Sequence, residues 1–498
     1  MAAQNTATLK KPTTTGSVMN RPNILLLVLD ATRADHLSCY GHSRETTPAI
    51  DRMANNGVRF TNAFANSNWT GTSHAALFTG LLPSTSGVYA GNQTLPRDVE
   101  TLPEALQRAG YSTFGVSAGA HLRGSRGYDR GFDRFKETYR ISPDKEFATA
   151  FLRDPSLRRQ TLFSVTRGSD TKTMYKFDSL DRWIGETDAP FFGFINAKTA
   201  HHPYNPPRPY KRLFCENLRR SRFQFVEKAF GDEFGERQSL PGMDFERLQR
   251  LSYQYPVISG EMDPTDEEWE VIRSWYDGAI RYMDDRIDEL LSALDRRGEL
   301  SNTYVIITAD HGEYFGEHGL EKHYYSLYEP VLHVPLVIRT PERQGITVDR
   351  PVSLVDLFPT LLDLAGESVD RPNARSLSPF DGNDPEEERP IFAELGETAP
   401  TGITRHHPEF DASGCGRPVQ VVRTDEYKLI AGADGERELY RWRTDPAEQN
   451  DRSASEPTVV SRLEDQIASN LAPLENEALN EEIEDDDLKQ HLEDLGYM

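Results

Sequence analysis

The sequence predicts an α/β protein. Its core is a mostly parallel sheet sandwiched by helices, with a small antiparallel α+β subdomain toward the C-terminal end. Three observations carry this expectation. Four short, uninterrupted apolar runs, NILLLVL (23–29), STFGVSA (112–118), FFGFINA (191–197) and TYVIITA (303–309), have the length and bounded ends of strands buried on both faces. Helical patterns separate them, at 47–57, 101–110 and 267–298. From about residue 390 the text changes to short strand-like runs joined by turns: PIFAELGE, RPVQVVRTDEYKLIAG and ERELYRWRTDP.

In chain order, residues 1–20 (MAAQNTATLKKPTTTGSVMN) are polar and lack the apolar stretch of a signal peptide, so they read as a disordered tail. Residues 21–388 form the α/β domain. Within it, 203–265 is rich in Pro, Arg and aromatics with weak periodicity, as expected of an insertion near the edge or mouth of the sheet. Residues 389–455 make the antiparallel subdomain, and 456–498 an acidic helical tail.

Composition narrows the function. The chain has 498 residues, a net charge of −23, and only 12 lysines against 44 arginines. An acidic, lysine-poor, arginine-rich chain fits solubility in the high-salt cytoplasm of a halophilic archaeon. Its field repels duplex nucleic acid, so no nucleic-acid partner is expected. Three cysteines, an odd and sparse count, fit a reducing compartment rather than a disulfide framework. No run approaches the roughly 18 apolar residues of a membrane span. A cytoplasmic location is the expectation, and nothing in the pattern specifies an oligomeric state.

The chemistry gathers at strand ends, where open α/β sheets build their sites. NILLLVL runs into Asp30, TYVIITA into Asp310 and His311, and FFGFINA into KTAHHPY with His201 and His202. A buried carboxylate needs a partner, and carboxylate oxygen with imidazole nitrogen suits Zn, Mn or Mg. Each Asp alone would as readily cap a turn. The stretch NWTGTSHAALFTG (68–80) adds three hydroxyls, Thr70, Thr72 and Ser73, at a predicted helix start. Capping is the plain role for Thr72 or Ser73. A helix start also binds anions, and a hydroxyl beside a metal can attack a phosphate or sulfate ester.

These residues lie in a string of motifs that resembles the sulfatases, members of the alkaline phosphatase superfamily. The string runs RPNILLLVLDATRADHLSCYG, TPAIDRMANNGVRFTNAFANSNWTGTSHAALFTGLLPSTSG, LPEALQRAGYSTFGVSAGAHL, GYDRGFDRF, AHHPYNPP, TADHGEYFGEHG, SLYEPVLHVPLVIRTP, SLVDLFPTLLDLAG and RTDEYKLI…ELYRWRTDPAEQND, over residues 21 to 452. The resemblance implies an alkaline-phosphatase-like core and a divalent metal, Ca, Mg, Mn or Zn, at one or two per chain. It implies Asp30, Asp310 and His311 as metal ligands, and Thr70 both at the nucleophile position and on the metal. His201 would contact the substrate's anionic oxygens or protonate a leaving group. His323 or its neighbour Lys322 falls where superfamily members place a Lys or a metal-binding His, and His318 is a weaker alternative. His74 and the helix start would stabilise the developing oxyanion.

The departures are as informative. Where sulfatases carry C-x-P-S-R, whose Cys becomes formylglycine, this chain has Thr70, Gly71, Thr72, Ser73 and His74, so formylglycine cannot form there. The usual Asp pair after the first strand is Asp30-Ala31. The G-K-x-H motif is absent, leaving only His121. Where the second metal of the phosphatase branches needs an acid, Lys198 and Thr199 stand, which leaves one metal with lysine and histidine charges beside it. Arg33 is poised equally to hold an anion or to pair with Asp35. His36, Tyr40 and Cys39 read as packing, His42 as surface, Asn68 and Trp69 as pocket or core, and His406 and His407 as a loop near the mouth.

The expectation is a metal-dependent hydrolase that cleaves or transfers a sulfate or phosphate ester group of a small molecule or glycan. The alternatives are a phosphodiesterase or phosphoglycerol-type transferase with the same site, and a non-catalytic binder of anionic glycans.

Overall fold

Residues 24–29 of β1 (Asn23–Leu29) are all apolar and fully buried, which is possible only for a strand covered on both faces. The computed structural model describes residues 21–473, apart from 90–91, 120, 139–150, 152–153, 169, 189, 216–244, 343–344, 379, 381–388, 398–402, 405–406 and 410–415. The expected tail at 1–20, the acidic end beyond 473, the centre of the 203–265 insertion and His406 lie outside the described residues.

The strands that follow are β2 (Val58–Phe64), β3 (Ser112–Ser117), β4 (Arg134–Glu137), β5 (Phe191–Ala197) and β6 (Thr303–Thr308). A short hairpin of β7 (Tyr314–Phe315) and β8 (Glu321–Lys322) comes next, then β9 (His333–Arg339), β10 (Ile346–Val348) and β11 (Val352–Ser353). The main sheet has nine strands in the order β10-β2-β9-β6-β1-β5-β3-β4, with β11 also on β2. It is parallel as expected, except that β9 runs antiparallel to both β6 and β2.

Alternation along β1 divides the core in two. Ile24, Leu26 and Val28 join a cluster with Leu77 and Phe78 of the helix Thr70–Thr79, and with Leu357, Phe358 and Leu361 of the helix Leu357–Leu364. Leu25, Leu27 and Leu29 join a second cluster with Phe177 and Leu180 of the helix Thr173–Ile184. The long helix Asp266–Arg296 adds Ile272, Trp275, Ile280 and Ile287 to that cluster. The sheet is therefore the middle of three layers. At ~1.5–3 kcal/mol per buried side chain, these two faces hold the strand ends rigidly in register.

A second sheet, antiparallel and four-stranded, runs β12 (Ile391–Leu395), β13 (Val419–Arg423), β14 (Lys428–Gly432), β15 (Arg437–Tyr440). The helix Pro457–Asn470 packs on it through Val460, Leu463 and Ile467, against Val422, Leu429 and Leu439. Ile391, Ala393 and Leu395 on β12 point instead into the first cluster of the main core. Among the described residues, no helix is long and apolar enough to cross a membrane.

Candidate active site

Parallel pairing brings the ends of β1, β5 and β6 to one edge of the sheet. Leu29 pairs with Ala197 and Val28 with both Asn196 and Thr308, and the Asp30 amide donates to the Ala197 carbonyl at 2.8 Å. Asp30, Asp310 and His311 therefore emerge together, all buried, with ligand atoms within 4.8 Å of one another. β2 delivers its chain to the same edge, where residues 65–69 lead into the helix that starts at Thr70.

Each carboxylate has one oxygen secured and one left over. Asp30 Oδ2 accepts from Asn196 Nδ2 at 3.1 Å, and Asp310 Oδ1 accepts from the amides of Ala31 and His311 at 3.2 and 3.0 Å. Asp30 Oδ1 and Asp310 Oδ2 are buried without a hydrogen-bond partner among the described residues. His311 Nδ1 donates to the Gly312 carbonyl at 2.9 Å, which turns the Nε2 lone pair inward, 3.9 Å from Asp30 Oδ1 and 3.7 Å from Asp310 Oδ2. Two orphaned carboxylate oxygens facing an imidazole lone pair form a donor set with no proton to share, and a divalent cation fits it. Burial first, then Asp310, pushes the Asp30 carboxyl up to about 6.

Thr70 lies against this group, with its Oγ1 3.4 Å from His311 Nε2. The expected capping is not what the helix start does. The N-cap is Trp69, without a side-chain cap, so Thr72 and Ser73 fall inside the first turn. Ser73 Oγ donates to the Ser67 carbonyl at 2.9 Å, and Thr72 Oγ1 is buried without a hydrogen-bond partner among the described residues. The first-turn amides thus lack a side-chain acceptor at the positive end of the helix dipole. His74 donates Nδ1 to the Thr70 carbonyl at 2.8 Å and lies 3.6 Å from Asp310 Oδ2, so it backs the carboxylate rather than the hydroxyl.

A second group adjoins the first. His323 stacks on His311 at 4.2 Å between ring centroids, and its Nε2 is 3.2 Å from His201 Nε2. His202 completes three buried imidazoles with ligand atoms within 4.8 Å. Burial holds His201 and His323 well below the usual imidazole range. Of the two neighbours weighed for this position, His323 is the one brought here. Lys322 donates to the Gln254 carbonyl, and its ammonium sits over the Tyr255 ring at 3.5 Å.

The remaining histidines and charges lie elsewhere. Arg33 pairs with Asp35 and Glu317, each at 2.7 Å, and donates to the Glu313 carbonyl. His318 stacks on Tyr328 at 3.7 Å, and His407 pairs with Glu261 at 3.0 Å. His42 is not a plain surface residue. It joins His36 and Arg44 on the fully buried Asp277, at 2.9, 2.6 and 2.6 Å respectively. Trp69 lies 5.1 Å from Tyr324 and 6.1 Å from His323.

Sequence reasoning passed over Asn196, and it placed His202 at the strand end without giving it a role. The signal for Asn196 was present: it is the polar residue in FFGFINA, a strand buried on both faces. A polar side chain there must be bonded to something that matters.

A three-layer α/β fold with carboxylates, imidazoles and a hydroxyl on the carboxyl edge of its sheet defines an ester hydrolase. The sulfatase family model matches residues 22–367, and the chain belongs to that family. A second model, the C-terminal region of N-sulphoglucosamine sulphohydrolase, matches residues 316–476. An uncharacterized sulfatase of Escherichia coli, YidJ, is 26% identical, with 87% of this chain and 83% of the relative covered. An N-acetylglucosamine-6-O-sulfatase of Bacteroides thetaiotaomicron is also 26% identical, with 86% and 82% covered. Among solved structures, a phosphonate monoester hydrolase of Agrobacterium radiobacter aligns with a TM-score of 0.68 and 26% identity, covering 90% of this chain and 95% of that one.

Proposed function

We propose that this chain is a metal-dependent hydrolase of sulfate or phosphate esters whose nucleophile is the Thr70 hydroxyl. The observation that carries the reading is the approach of Thr70 Oγ1 to His311 Nε2 at 3.4 Å, beside the free oxygens of Asp30 and Asp310. Asp30, Asp310 and His311 would hold one divalent ion, with Thr70 completing the set. When bound, the ion supplies Lewis acidity that favours the alkoxide and offsets charge on the ester oxygens.

Thr70 Oγ then forms the bond to S or P as the bond to the leaving oxygen breaks. The uncapped first turn at Thr70–Thr72 receives the developing oxyanion. The His201–His323 pair, joined Nε2 to Nε2 at 3.2 Å, takes up the proton that Thr70 Oγ1 loses and delivers it to the leaving oxygen. Water, or an acceptor alcohol, releases the group from Thr70. His74 fixes the Thr70 carbonyl and the charge of Asp310. Similarity to an N-acetylglucosamine-6-O-sulfatase and to a phosphonate monoester hydrolase supports both a sulfated-sugar and a phosphorus-ester substrate. The acidic, lysine-poor composition supports a high-salt working environment.

The test compares chromogenic sulfate esters, phosphate monoesters and phosphate diesters in high-KCl buffer with Mn, Mg, Ca or Zn added, for the parent and Thr70→Ala. Turnover of one ester class that disappears in Thr70→Ala is the expected result. Turnover untouched by that substitution would sink the mechanism, and none on any ester would favour a binder of anionic glycans.

A further inference from the structure

Every group in the proposed chemistry is sealed from solvent. Asp30, Thr70, His201, Asp310 and His323 are at most 3% exposed. An ester therefore enters past a neighbour that is not sealed, and its alcohol half stays beside that neighbour. Among the described residues, five rings approach His323: those of Trp69, His201, His202, His311 and Tyr324. Of these, only Trp69 is partly exposed. It also immediately precedes Thr70, as the N-cap of that helix. One indole thus borders both the attacking hydroxyl and the imidazole pair that protonates the leaving oxygen.

The indole packs on a small apolar cluster set apart from the two that cover the sheet. Tyr324 lies 5.1 Å from it, and Tyr255 and Tyr325 lie 5.8 and 5.7 Å from Tyr324. Ile258 and Ile403 belong to the same cluster. Its members come from three distant stretches: the end of the 203–265 insertion, the turn after β8, and the C-terminal part. Side chains of β8 pin the first of these. Glu321 Oε1 accepts from the amides of Val257 and Ile258 at 2.8 and 3.1 Å, and Lys322 donates to the Gln254 carbonyl while lying over the Tyr255 ring. Lys322 and Tyr325 both hold a left-handed backbone, φ 61° and 74°, strained for residues other than glycine. These two bends flank His323, which faces the site, and Tyr324, which backs Trp69. A partly exposed aromatic wall beside a polar centre suits a ligand with one flat apolar face and polar edges. We propose that Trp69, backed by Tyr324, stacks on the leaving alcohol of the ester. It selects alcohols that carry a six-membered ring, a pyranose or an aryl group, over open-chain ones. A flexible chain covers less of the indole and loses more conformational freedom on binding. The inference rests on the reading of the site as an ester hydrolase and deepens it by naming the alcohol half of the substrate.

Paired esters with similar leaving oxygens test it: the 6-esters of glucose and of open-chain sorbitol, and the benzyl and n-butyl esters. Each is the sulfate or the phosphate, whichever class the parent turns over. kcat and KM would be measured for the parent, Trp69→Ala, Trp69→Leu and Trp69→Phe. The parent is expected to favour the ring member of one pair by about tenfold or more in kcat/KM, and the pair that shows it tells a sugar from an aryl substrate. Trp69→Ala and Trp69→Leu should lose that preference through a raised KM for the ring ester, with kcat/KM for the open-chain partner kept within about threefold. Trp69→Phe, which retains a flat face, should keep most of the preference. Leucine fills the space without a flat face, so it decides the matter if melting curves show that the alanine variant does not fold. A parent blind to the ring in both pairs would overturn the proposal, as would equal losses on ring and open-chain esters. Either result leaves the ester reading standing. A parent that turns over no ester would overturn that reading, and the role of Trp69 with it.

Discussion

His201 and His323 meet Nε2 to Nε2 at 3.2 Å, while each ring spends its Nδ1 proton on a main-chain carbonyl, that of His202 at 2.6 Å and of Asn68 at 2.8 Å. Two neutral rings so held present lone pairs to each other. The contact becomes favourable when one proton is shared between them, and a pair that shares one proton acts as one unit.

The two rings should therefore fail together. His201→Ala and His323→Ala are each expected to lower kcat by about 10²–10⁴, the usual range for a positioned proton donor. The double variant should be scarcely slower than either single, as for residues that act as a unit. Steady-state kinetics on one ester, with all three variants, checks it. Lys322→Met, whose parent residue is spent on Gln254 and Tyr255, should lower thermal stability while leaving kcat largely intact.

Metal uptake should release a proton. The Asp30 carboxyl is pushed up to about 6 by burial and then by Asp310, so below that pH the ion must displace a proton to bind. Affinity is expected to tighten as pH rises through about 6 and to level off above it. Titration calorimetry in buffers of different ionisation enthalpy reads the proton count directly. A pH-independent affinity between pH 5 and 7 would contradict it.

Asn196 should matter to the ion without touching it. Its amide holds Asp30 Oδ2 and leaves Oδ1 for the cation. Asn196→Ala is expected to weaken metal binding about 10–100-fold, the typical effect of removing an outer partner of a ligand. Equilibrium competition with a chelator, beside a melting curve, separates this from loss of fold.

The loop after β1 has its own anchor. Burial alone would raise the Asp277 carboxyl, but His36 and then His42 override it and hold it well below the usual range. A depressed acid contributes stability above its unfolded value, near 4, and loses it as pH falls through the folded one. Asp277→Ala leaves Arg44 and two imidazoles facing a void and should cost about 3–5 kcal/mol. Urea melts of parent and variant at pH 7 and at progressively lower pH would show the difference shrinking with acid.

Much of this was legible in the chain. Four apolar runs fixed the central strands because residues buried on both faces have no freedom to be polar, and their last letters, Asp30 and Asp310 with His311, are where a parallel sheet must place its chemistry. β2 escaped because VRFTNAF mixes polar and apolar residues as a partly covered strand does, and β9 because Pro335 interrupts the donors of its otherwise apolar, buried run VPLVI. The choice between Lys322 and His323 could not be made from spacing. It turns on Lys322 adopting a left-handed backbone, φ 61°, which local sequence does not announce. Thr72 and Ser73 looked like caps because the helix start was placed three or four residues late, a shift that alters the role of every hydroxyl in the turn.

The reversed strand β9 decides how the site can vary. β6 leaves the sheet at the carboxyl edge, and β9, running the other way, begins at that same edge. Residues 309–332 thus depart and return on one side, carrying Asp310, His311 and His323 on a single closed excursion. A parallel crossover would have taken the chain to the far edge and split these groups between separate connections. As built, half of the chemistry is a cassette with both ends rooted in rigid neighbours. Swapping this excursion between homologues would exchange the imidazole and acid complement in one step, with the sheet and the helix that starts at Thr70 left as they are.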